Sequence, residues 1–341
     1  MKKAARRWPA EWERHDATWI AWPHHEPDWP GKLAPIPWVY AEIARVLHRH
    51  ERVEILCHEM GRESARKVLD AHGVTTNVRL HVVPTDRVWL RDSSPTWVEN
   101  GGKAELINWK FNGWAKYDNY GRDALVGKAV ATITKAKRKE ATRPDSGLGF
   151  VLEGGAIDTD GRGTMLTTEE CLLSKVQARN PGLTRDQYEK AFTEWLGIKR
   201  TVWLGEGCVG DDTHGHVDDI ARFVAPGVVA LAYEADTADE NHKRSLDNLK
   251  RLEKAKLEVV KLPYPRPVKM NGERLPASYA NFYICNGAVL VPTFNDKNDR
   301  VALNTIAKVF PRHEVVGIHS VDLMWGLGTL HCLTQQQPAI G

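Results

Sequence analysis

Short apolar runs rich in β-branched residues alternate with helical patterns along the whole chain of 341 residues. Such short runs are typical of strands, because Val and Ile suit a pleated, buried surface. We predict strands at residues 53–57, 78–83, 165–168, 228–232, 288–291 and 314–318. Apolar residues recur at helical spacing at residues 39–50, 62–71, 184–196, 236–255 and 300–310. This alternation predicts a mixed α/β fold.

The helical segments carry recognisable end signals, and no long linker separates them. Thr184 and Asp236 are suitable N-caps, and Gly197 is a suitable C-cap. The stretch richest in proline leads into a polar segment, so we interpret residues 262–278 as a surface loop and a candidate lid. Without a linker, repeat or low-complexity segment, residues 1–341 are predicted to form one domain.

Charge and hydropathy argue against nucleic-acid and membrane partners. The 47 basic and 44 acidic side chains nearly balance, and the basic cluster at residues 135–139 is better interpreted as a solvated helix end. No apolar stretch approaches the roughly 20 residues that a membrane-spanning helix needs. Glu11 and Glu13 follow the basic start where a secretory signal has an apolar region, so we expect no such signal.

The cysteines argue against a disulfide framework. They are five in number, widely scattered and without a CxxC pair, which also argues against a zinc site of four thiolates. Free thiols persist in reducing compartments, so we expect a cytoplasmic protein.

The first candidate for chemistry is the segment 89–95, in which an apolar run closes and turns at Pro95. This arrangement predicts that Asp92 lies at the end of a strand, where functional groups are common. Spacing alone nevertheless favours a structural role, either an ion pair between Arg91 and Asp92 or a turn that Asp92 initiates.

The second candidate is the segment 152–157, in which Glu153 interrupts an apolar run. A carboxylate among apolar residues is costly unless it is paired or hydrogen-bonded. Gly154 and Gly155, which follow it, allow another backbone or a ligand to approach closely. A simple β-turn is the more economical interpretation of the pattern alone.

The third candidate is the segment 213–220, which contains two histidines and two aspartates. If residues 215–221 form a strand, His214, His216 and Asp218 share one face, because alternate side chains point the same way. This arrangement fits a proton shuttle beside a cation-binding carboxylate, a metal site with two imidazoles and a carboxylate, or polar surface residues. The pattern does not separate the three.

The fourth candidate is the segment 325–335, in which Cys332 follows a glycine-rich turn and His331 stands beside it. Cys57 and Cys285 end or interrupt strand-like runs, which is typical of packed thiols. Cys208 is the competitor for a reactive thiol, because it is close in sequence to the two histidines.

Together these segments resemble the agmatine deiminase branch of the peptidyl-arginine deiminase family. Further segments that are similar to this family lie at residues 17–23, 168–173, 179–181, 278–283 and 335–338. The similarity therefore runs in order from about residue 8 to residue 338.

The resemblance implies a fold, an activity and a site. The fold is a five-bladed, pseudo-symmetric α/β-propeller of ββαβ-type units, and the activity is the hydrolytic deimination of a small guanidino compound. No cofactor or metal is implied, and the assembly is a homodimer. The implied residues are the nucleophile Cys332, the catalytic His216, Glu153 that orients it, the guanidinium-binding Asp92 and Asp218, and Asn281 near the site.

The substrate is the least determined part of this expectation. The resemblance favours agmatine, converted to N-carbamoylputrescine and ammonia through a covalent cysteine intermediate. Free arginine, peptidyl-arginine, another guanidine, amidino transfer and a metal-dependent amidohydrolase are the alternatives. Residues 111–117 lack one glycine-sized step of the family pattern, and residues 326–328 are less rich in glycine. We therefore take Trp89, Trp114 and the loop after Phe111 as candidates for the far end of the substrate.

Overall fold

In the computed structural model, residues 6–340 are described, and they form a mixed α/β structure. The strands are β1 (His15–Ala21), β2 (Arg52–Cys57), β3 (Val78–Val82), β4 (Thr96–Asn100), β5 (Lys103–Asn108), β6 (Lys137–Glu140), β7 (Asp158–Thr159), β8 (Thr164–Thr168), β9 (Arg200–Leu204), β10 (Ala221–Ala225), β11 (Val228–Ala232), β12 (Glu258–Leu262), β13 (Lys269–Met270), β14 (Glu273–Arg274), β15 (Tyr283–Cys285), β16 (Ala288–Thr293), β17 (Glu314–His319) and β18 (Gln335–Pro338). The basic start at residues 1–5, used above to argue against a secretory signal, lies outside this range.

The helices include five long ones and several of four to nine residues. They are α1 (Ile36–Leu47), α2 (Arg62–Ala71), α3 (Leu90–Ser93), α4 (Val126–Thr134), α5 (Glu169–Leu173), α6 (Arg185–Leu196), α7 (Glu240–Lys254), α8 (Lys297–Val309) and α9 (Leu330–Leu333). Within residues 6–340, none of the helices has the length and apolar character needed to cross a bilayer.

Four sheets repeat one arrangement, in which an antiparallel strand pair is followed by a third strand parallel to the second. They are β4-β5-β6, β7-β8-β9, β10-β11-β12 and β15-β16-β17. A parallel neighbour requires a crossover connection, which α4, α6, α7 and α8 supply. A further sheet has the order β18-β1-β2-β3, so the last strand pairs with the first. The repeat therefore closes through the two ends of the described chain.

The strands predicted from β-branched runs are confirmed as β2, β3, β8, β11, β16 and β17. The predicted caps of α6 are also confirmed. Thr184 forms a capping box with Gln187, and Gly197 adopts a left-handed backbone with φ of 74°. A side chain at position 197 is also excluded by space, because its Cβ would lie 1.8 Å from the carbonyl oxygen of Arg6.

Two local predictions are wrong. Asp236 does not cap α7; Asp239 does, by accepting a hydrogen bond from Asn241 N–H at 2.8 Å. Asp236 instead stabilises the preceding turn by accepting from Ala238 N–H. Residues 215–221 are not a strand either. They form a turn and a short 3-10 helix (Val217–Asp219), and β10 begins only at Ala221.

The apolar core lies between neighbouring sheets and the helices that cover them. One cluster joins Leu166 of β8 and Leu204 of β9 with Phe223 of β10, Leu231 of β11 and Leu252 of α7, all fully buried or nearly so. Burying such side chains contributes about 1.5–3 kcal/mol each, which ties each sheet to the next. The sheets, and the turns that follow their strands, are thereby held at fixed positions.

Candidate active site

Asp92 lies in the four-residue helix α3 rather than at the end of a strand. Its carboxylate is buried and accepts hydrogen bonds from Gly155 N–H and from Trp114 Nε1–H, both at 2.9 Å. Burial, the main cause, raises the pKa of Asp92 to about 6, against the opposing effect of His216. An ion pair between Arg91 and Asp92, one of the two structural interpretations of this segment, is not formed, because Arg91 pairs with Glu11 at 3.1 Å.

Glu153 is fully buried and forms an ion pair with Arg179, which offsets the energetic cost of burying the carboxylate. Arg179 Nε lies 3.1 and 3.3 Å from the two carboxylate oxygens. Burial by itself raises the pKa of Glu153, but Arg179 and His216 outweigh burial and hold the pKa below its usual value. The predicted β-turn is a short 3-10 turn (Gly154–Ala156), and the close approach predicted for the glycines is confirmed. A Cβ on Gly154 would lie 2.3 Å from the carbonyl oxygen of Arg91.

His216 is fully buried at the start of the 3-10 helix and is surrounded by carboxylates. Its Nδ1 lies 3.8 Å from Asp92 Oδ2 and 4.0 Å from Asp218 Oδ1, and its Nε2 lies 3.7 Å from Glu153 Oε2. Neither ring nitrogen has a hydrogen-bond partner within the described range. Burial lowers the pKa of His216, but Asp92 in particular holds it well above the usual value.

Gly155 makes this convergence of charged groups geometrically allowed. A Cβ at this position would lie 2.5 Å from His216 Nδ1, 2.9 Å from Asp92 Oδ1 and 3.1 Å from Asp218 Oδ2. Any side chain would therefore displace the imidazole or a carboxylate.

His214 does not share a face with His216, because the segment is a turn. Its backbone is left-handed, with φ of 62°, and its ring contacts Ser174 Oγ at 3.1 Å. Among the described residues, the groups whose ligand atoms are close enough for a metal are Glu153 with Cys171 and His216, and Asp218 with Asp219 and Cys332. The predicted metal set of His214, His216 and Asp218 is therefore not brought together.

Asp218 is fully buried, and one of its oxygens is free for a ligand. Oδ2 lies 2.7 Å from His331 Nδ1, whereas Oδ1 has no hydrogen-bond partner in residues 6–340. His331 in turn contacts Glu11 through Nε2 at 2.9 Å. Burial raises the pKa of Asp218, but the contact with His331 more than offsets it and keeps the pKa below its usual value.

Cys332 lies in α9, and its sulfur faces the same centre. Sγ is 3.0 Å from Asn281 Nδ2 and 3.7 Å from Asp218 Oδ2. Asn281 Oδ1 also accepts hydrogen bonds from His331 N–H and Thr329 Oγ1–H, so this one side chain holds the whole turn. Burial and then the nearby carboxylates raise the pKa of Cys332 well above its usual value.

The competing thiol of Cys208 lies outside this centre. It is buried against Asn241 and Tyr264, and burial raises its pKa to a value beyond the physiological range. Cys332, in contrast, lines a cavity of about 260 Å³. We call the five acidic, imidazole and thiol side chains of this centre the inner group: Asp92, Glu153, His216, Asp218 and Cys332. Of these, Asp92 and Cys332 line the cavity.

The walls of the cavity are aromatic, and both predicted tryptophans line it. Trp114 donates to Asp92, and the Trp89 ring packs against residues 326–328. A Cβ on Gly328 would lie 2.9 Å from Trp89 and 3.3 Å from Cys332 Sγ. Glycine is therefore needed where the tryptophan approaches the thiol.

A second set of charged side chains lines the same cavity. We call it the outer group: Asp28, Arg87, Tyr117 and Asp212. Arg87 pairs with Asp28 and covers the Tyr117 ring at 4.2 Å, and Tyr117 Oη–H donates to Asp212 at 2.7 Å. Lys116 pairs with Asp212 from outside. Burial, the main cause, raises the pKa of Asp28 to about 7, and its Oδ2 has no partner in the described range.

The loop after Phe111 turns sharply to bring Trp114 into this cavity. Gly113, Trp114 and Ala115 have consecutive left-handed backbones, with φ of 62°, 58° and 53°. Left-handed backbone is costly for residues other than glycine, so the loop stores strain. The packing of Phe111 edge-on to Trp114, with centroids 5.1 Å apart, offsets part of this cost.

Several charged residues around the inner group were not identified from the sequence. Glu11 contacts Arg91, Arg222 and His331, which lie in three distant parts of the chain. Arg179 was noted only as part of a family motif, although a fully buried glutamate predicts a buried cation somewhere. Glu11 carried no comparable signal.

Comparison with known proteins gives a consistent result over nearly the whole chain. The sequence model of the Porphyromonas-type peptidyl-arginine deiminase family matches residues 7–338. The chain belongs to this family. A relative from Ectopseudomonas mendocina, named agmatine deiminase, is 36% identical over 97% of this chain and 95% of its own length.

Solved structures of this family have the same fold. The agmatine deiminase of Enterococcus faecalis matches with a TM-score of 0.89 and 30% identity, covering 99% of this chain and 98% of that one. An amidinotransferase from Microseira wollei matches with a TM-score of 0.53 and 15% identity over 99% and 98% of the two chains, a likeness of fold alone. The resemblance inferred from the motifs is thus confirmed.

Proposed function

We propose that this protein hydrolyses agmatine to N-carbamoylputrescine and ammonia by covalent catalysis at Cys332. The convergence of a thiol, an imidazole and two aspartates at one centre, of which Cys332 and Asp92 line the cavity, carries the proposal. Family membership and the agmatine deiminases among the relatives support the reaction class, hydrolysis of a C–N bond in a linear amidine.

Asp92 and Asp218 would bind the guanidinium. This cation is planar and offers N–H groups along its edge, which carboxylate oxygens accept in its plane. Asp218 Oδ1 and His216 Nδ1, 4.0 Å apart, have no hydrogen-bond partner in residues 6–340 and are available to a substrate. Edge-on binding leaves the central carbon open to Cys332 from one side of the plane.

Binding of the substrate would itself favour the thiolate form of Cys332. Burial, and then the nearby carboxylates that disfavour a further negative charge, hold the pKa of Cys332 high. A bound guanidinium neutralises those carboxylates, and the thiolate becomes accessible at neutral pH. Binding and activation of the thiol are thereby coupled.

Two steps would complete the reaction. Cys332 Sγ forms a bond to the guanidinium carbon, and the tetrahedral adduct loses ammonia when His216 donates a proton to the departing nitrogen. A water molecule, which gives a proton to neutral His216, then forms a C–O bond to the same carbon. The C–S bond breaks to restore the thiolate, and the hydroxyl proton passes to solvent to leave the neutral ureido product. Glu153, held by Arg179, would stabilise the imidazolium and fix the ring.

The outer group favours agmatine over arginine. The amino end of agmatine is a cation, and Asp28 offers a buried oxygen without a partner. The α-carboxylate of arginine requires a cation instead, but Arg87 is paired with Asp28 and Lys116 with Asp212. Trp89 and Trp114 would enclose the apolar part of the substrate between the two groups.

The repeated sheets support the finer architecture. Four sheets share one antiparallel and parallel pairing, and β18-β1-β2 repeats it in a fifth sheet to which β3 is added. This pattern fits a five-bladed α/β-propeller in which residues 1–341 form one catalytic domain. We further propose a cytoplasmic location, which the free cysteines favour, and a homodimer, which the family resemblance implies.

The test is a panel of guanidines with two products measured. Agmatine, arginine, a peptide with an internal arginine and butylguanidine are incubated with the protein, and ammonia and the ureido product are quantified. We expect the highest kcat/KM for agmatine, loss of turnover in Cys332→Ala and near-normal turnover in Cys208→Ala. A preference for arginine, or activity that survives in Cys332→Ala, contradicts the proposal.

A further inference from the structure

His331 stands beside the nucleophile in the sequence and has no role in the reaction described above. Its side chain is buried and contacts two distant acidic residues. Nδ1 lies 2.7 Å from Asp218 Oδ2, and Nε2 lies 2.9 Å from Glu11 Oε2. The main chain of His331 is held separately, because its N–H donates to Asn281 Oδ1 at 3.0 Å and its carbonyl oxygen accepts from Arg91 Nε at 3.3 Å. The residue is therefore fixed at both ring nitrogens and at the backbone.

Both contacts of the ring require it to be charged. A carboxylate can only accept a hydrogen bond, so each ring nitrogen that contacts one must carry a proton. Burial raises the pKa of Glu11, but Arg222 and then His331 outweigh it and hold that pKa well below its usual value. Burial raises the pKa of Asp218 as well, and the contact with His331 more than offsets it. His331 is therefore an imidazolium between two buried carboxylates.

Glu11 anchors the side of the ring that is remote from Asp218. Its Oε2 accepts from Arg91 at 3.1 Å as well as from His331. Its Oε1 accepts from Ile284 N–H at 2.9 Å and lies 2.8 Å from Arg222. A buried carboxylate that is held at both oxygens cannot turn, so it fixes the direction in which the imidazolium presents Nδ1.

We propose that His331 is a positioning residue for Asp218: its Nδ1–H holds Oδ2 and leaves Oδ1 to the guanidinium of the substrate. This inference rests on the proposed function, which assigns Asp218 to the binding of that cation. Oδ2 is occupied by the imidazolium, whereas Oδ1 has no hydrogen-bond partner within residues 6–340. Because His331 directly precedes Cys332 in α9, the same contact ties the cation-binding carboxylate to the nucleophile, whose Sγ lies 3.7 Å from Oδ2.

The charges around Asp218 predict how its titration responds when this contact is lost. The groups that face it are His216 and Asp219 from its own turn, Asp92 from α3, Arg222 from β10, and His331 and Cys332 from α9. Burial favours the protonated carboxyl group, and His331 supplies the largest opposing effect. Without this donor the pKa of Asp218 rises, so its binding form, the carboxylate, is lost at a higher pH.

The binding test uses two substitutions that each keep one hydrogen bond of the ring. The amide nitrogen of Asn can replace Nδ1, so His331→Asn keeps a donor to Asp218. The amide nitrogen of Gln can replace Nε2, so His331→Gln keeps only the donor to Glu11. The dissociation constant for agmatine is measured by calorimetry, with every variant in the inactive Cys332→Ala background. We expect His331→Gln to weaken binding by about 10–100-fold at pH 7 and by more at lower pH, and His331→Asn to weaken it less.

A matched control removes a buried histidine that pairs with a carboxylate outside the inner group. His15 Nδ1 lies 3.2 Å from Glu51 Oε1, and both side chains are buried. His15→Gln, in the same background, should leave the dissociation constant for agmatine unchanged. A loss of binding in His15→Gln equal to that in His331→Gln overturns the proposal, as does an equal loss in His331→Asn and His331→Gln.

A second measurement keeps the proposal testable if the variants at position 331 do not fold. Nitrogen-15 NMR is recorded on the unmodified, full-length protein at pH 7 without substrate. Both ring nitrogens of His331 should carry a slowly exchanging proton, and a ring with only one proton overturns the proposal. Absence of agmatine turnover in the unmodified protein contradicts the proposed function instead. The NMR result needs no substrate and still decides whether His331 donates to Asp218.

Discussion

The outer group lines the cavity that Asp92 and Cys332 of the inner group also line, but the two groups are built in different ways. The inner side chains, such as His216 and Glu153, are fully buried on short helical turns. In the outer group the ion pair of Arg87 with Asp28 is also largely buried, whereas Asp212 and its partner Lys116 are partly open to solvent. Removing the partner of a buried charge strongly destabilises the fold, whereas an exposed ion pair contributes only about 0–1 kcal/mol to stability. The inner group is thus suited to determine the reaction, and the outer group to adjust the substrate.

The largest expected effect is on kcat, and it distinguishes the chemical role of His216 in the inner group from substrate binding. His216→Asn should lower kcat for agmatine by about 10²–10⁴-fold, because no other described side chain is placed to donate the leaving-group proton. Agmatine should still bind, as calorimetry on the inactive variant can measure. His214→Asn is the matched control, since that ring faces Ser174, and it should keep most of the activity. Equal losses in both variants contradict the assignment.

The next effect is the dependence of kcat/KM on pH that the Asp92 carboxylate of the inner group imposes. The pKa of Asp92 is raised to about 6, so its binding form, the carboxylate, is lost as pH falls through that value. We expect kcat/KM to fall about tenfold per pH unit below 6. A bound guanidinium stabilises the carboxylate, so the acid limb of kcat should lie at lower pH. If the acid limbs of the kcat and kcat/KM profiles lie at the same pH, Asp92 does not bind the cation.

A smaller effect is expected in the outer group. Asp28→Asn should raise KM for agmatine by about tenfold, because the ammonium loses a charged partner, while kcat changes little. Butylguanidine lacks the ammonium and should be unaffected. If KM rises equally for both compounds, Asp28 supports the cavity rather than recognising the amino end.

The smallest effect concerns the strained loop that carries Trp114. Ala115 has a left-handed backbone, so Ala115→Gly should stabilise the fold by about 0.5–1 kcal/mol in denaturant unfolding. Ala131→Gly, within α4, is the control and should destabilise by about the same amount. Destabilisation by Ala115→Gly means that the methyl group packs usefully in spite of the strain.

The sequence singled out side chains that the fold brings together, but the local structure around them was predicted less well. Residues 215–221 show a two-residue alternation, but His214 and Gly215 adopt positive φ and turn the chain. Alternation over so few residues does not distinguish a strand from a turn, whereas the continuous apolar run of β11 was predicted at both ends. The roles of Cys332 and Asn281 came from family resemblance and stay predictions.

Contacts across long distances in the sequence account for what was missed. Glu11 joins Arg222 and His331, which are more than 200 residues away, and no local pattern marks it. Asp28 and Arg87 likewise meet only when β1 and β3 are in the same sheet. Buried ion pairs of this kind are properties of the assembled fold.

The pairing of β18 with β1 has a consequence for the order of assembly. His15 lies opposite Pro338, so this closure joins residues more than 300 positions apart, and α9 with Cys332 stands immediately before β18. Contacts at such separation form late, because the loop-closure entropy must be overcome first. A ribosome-bound nascent chain that lacks β18 would therefore form its other sheets before the site is complete. Removing residues 335–338 should abolish activity while most of the secondary structure is retained.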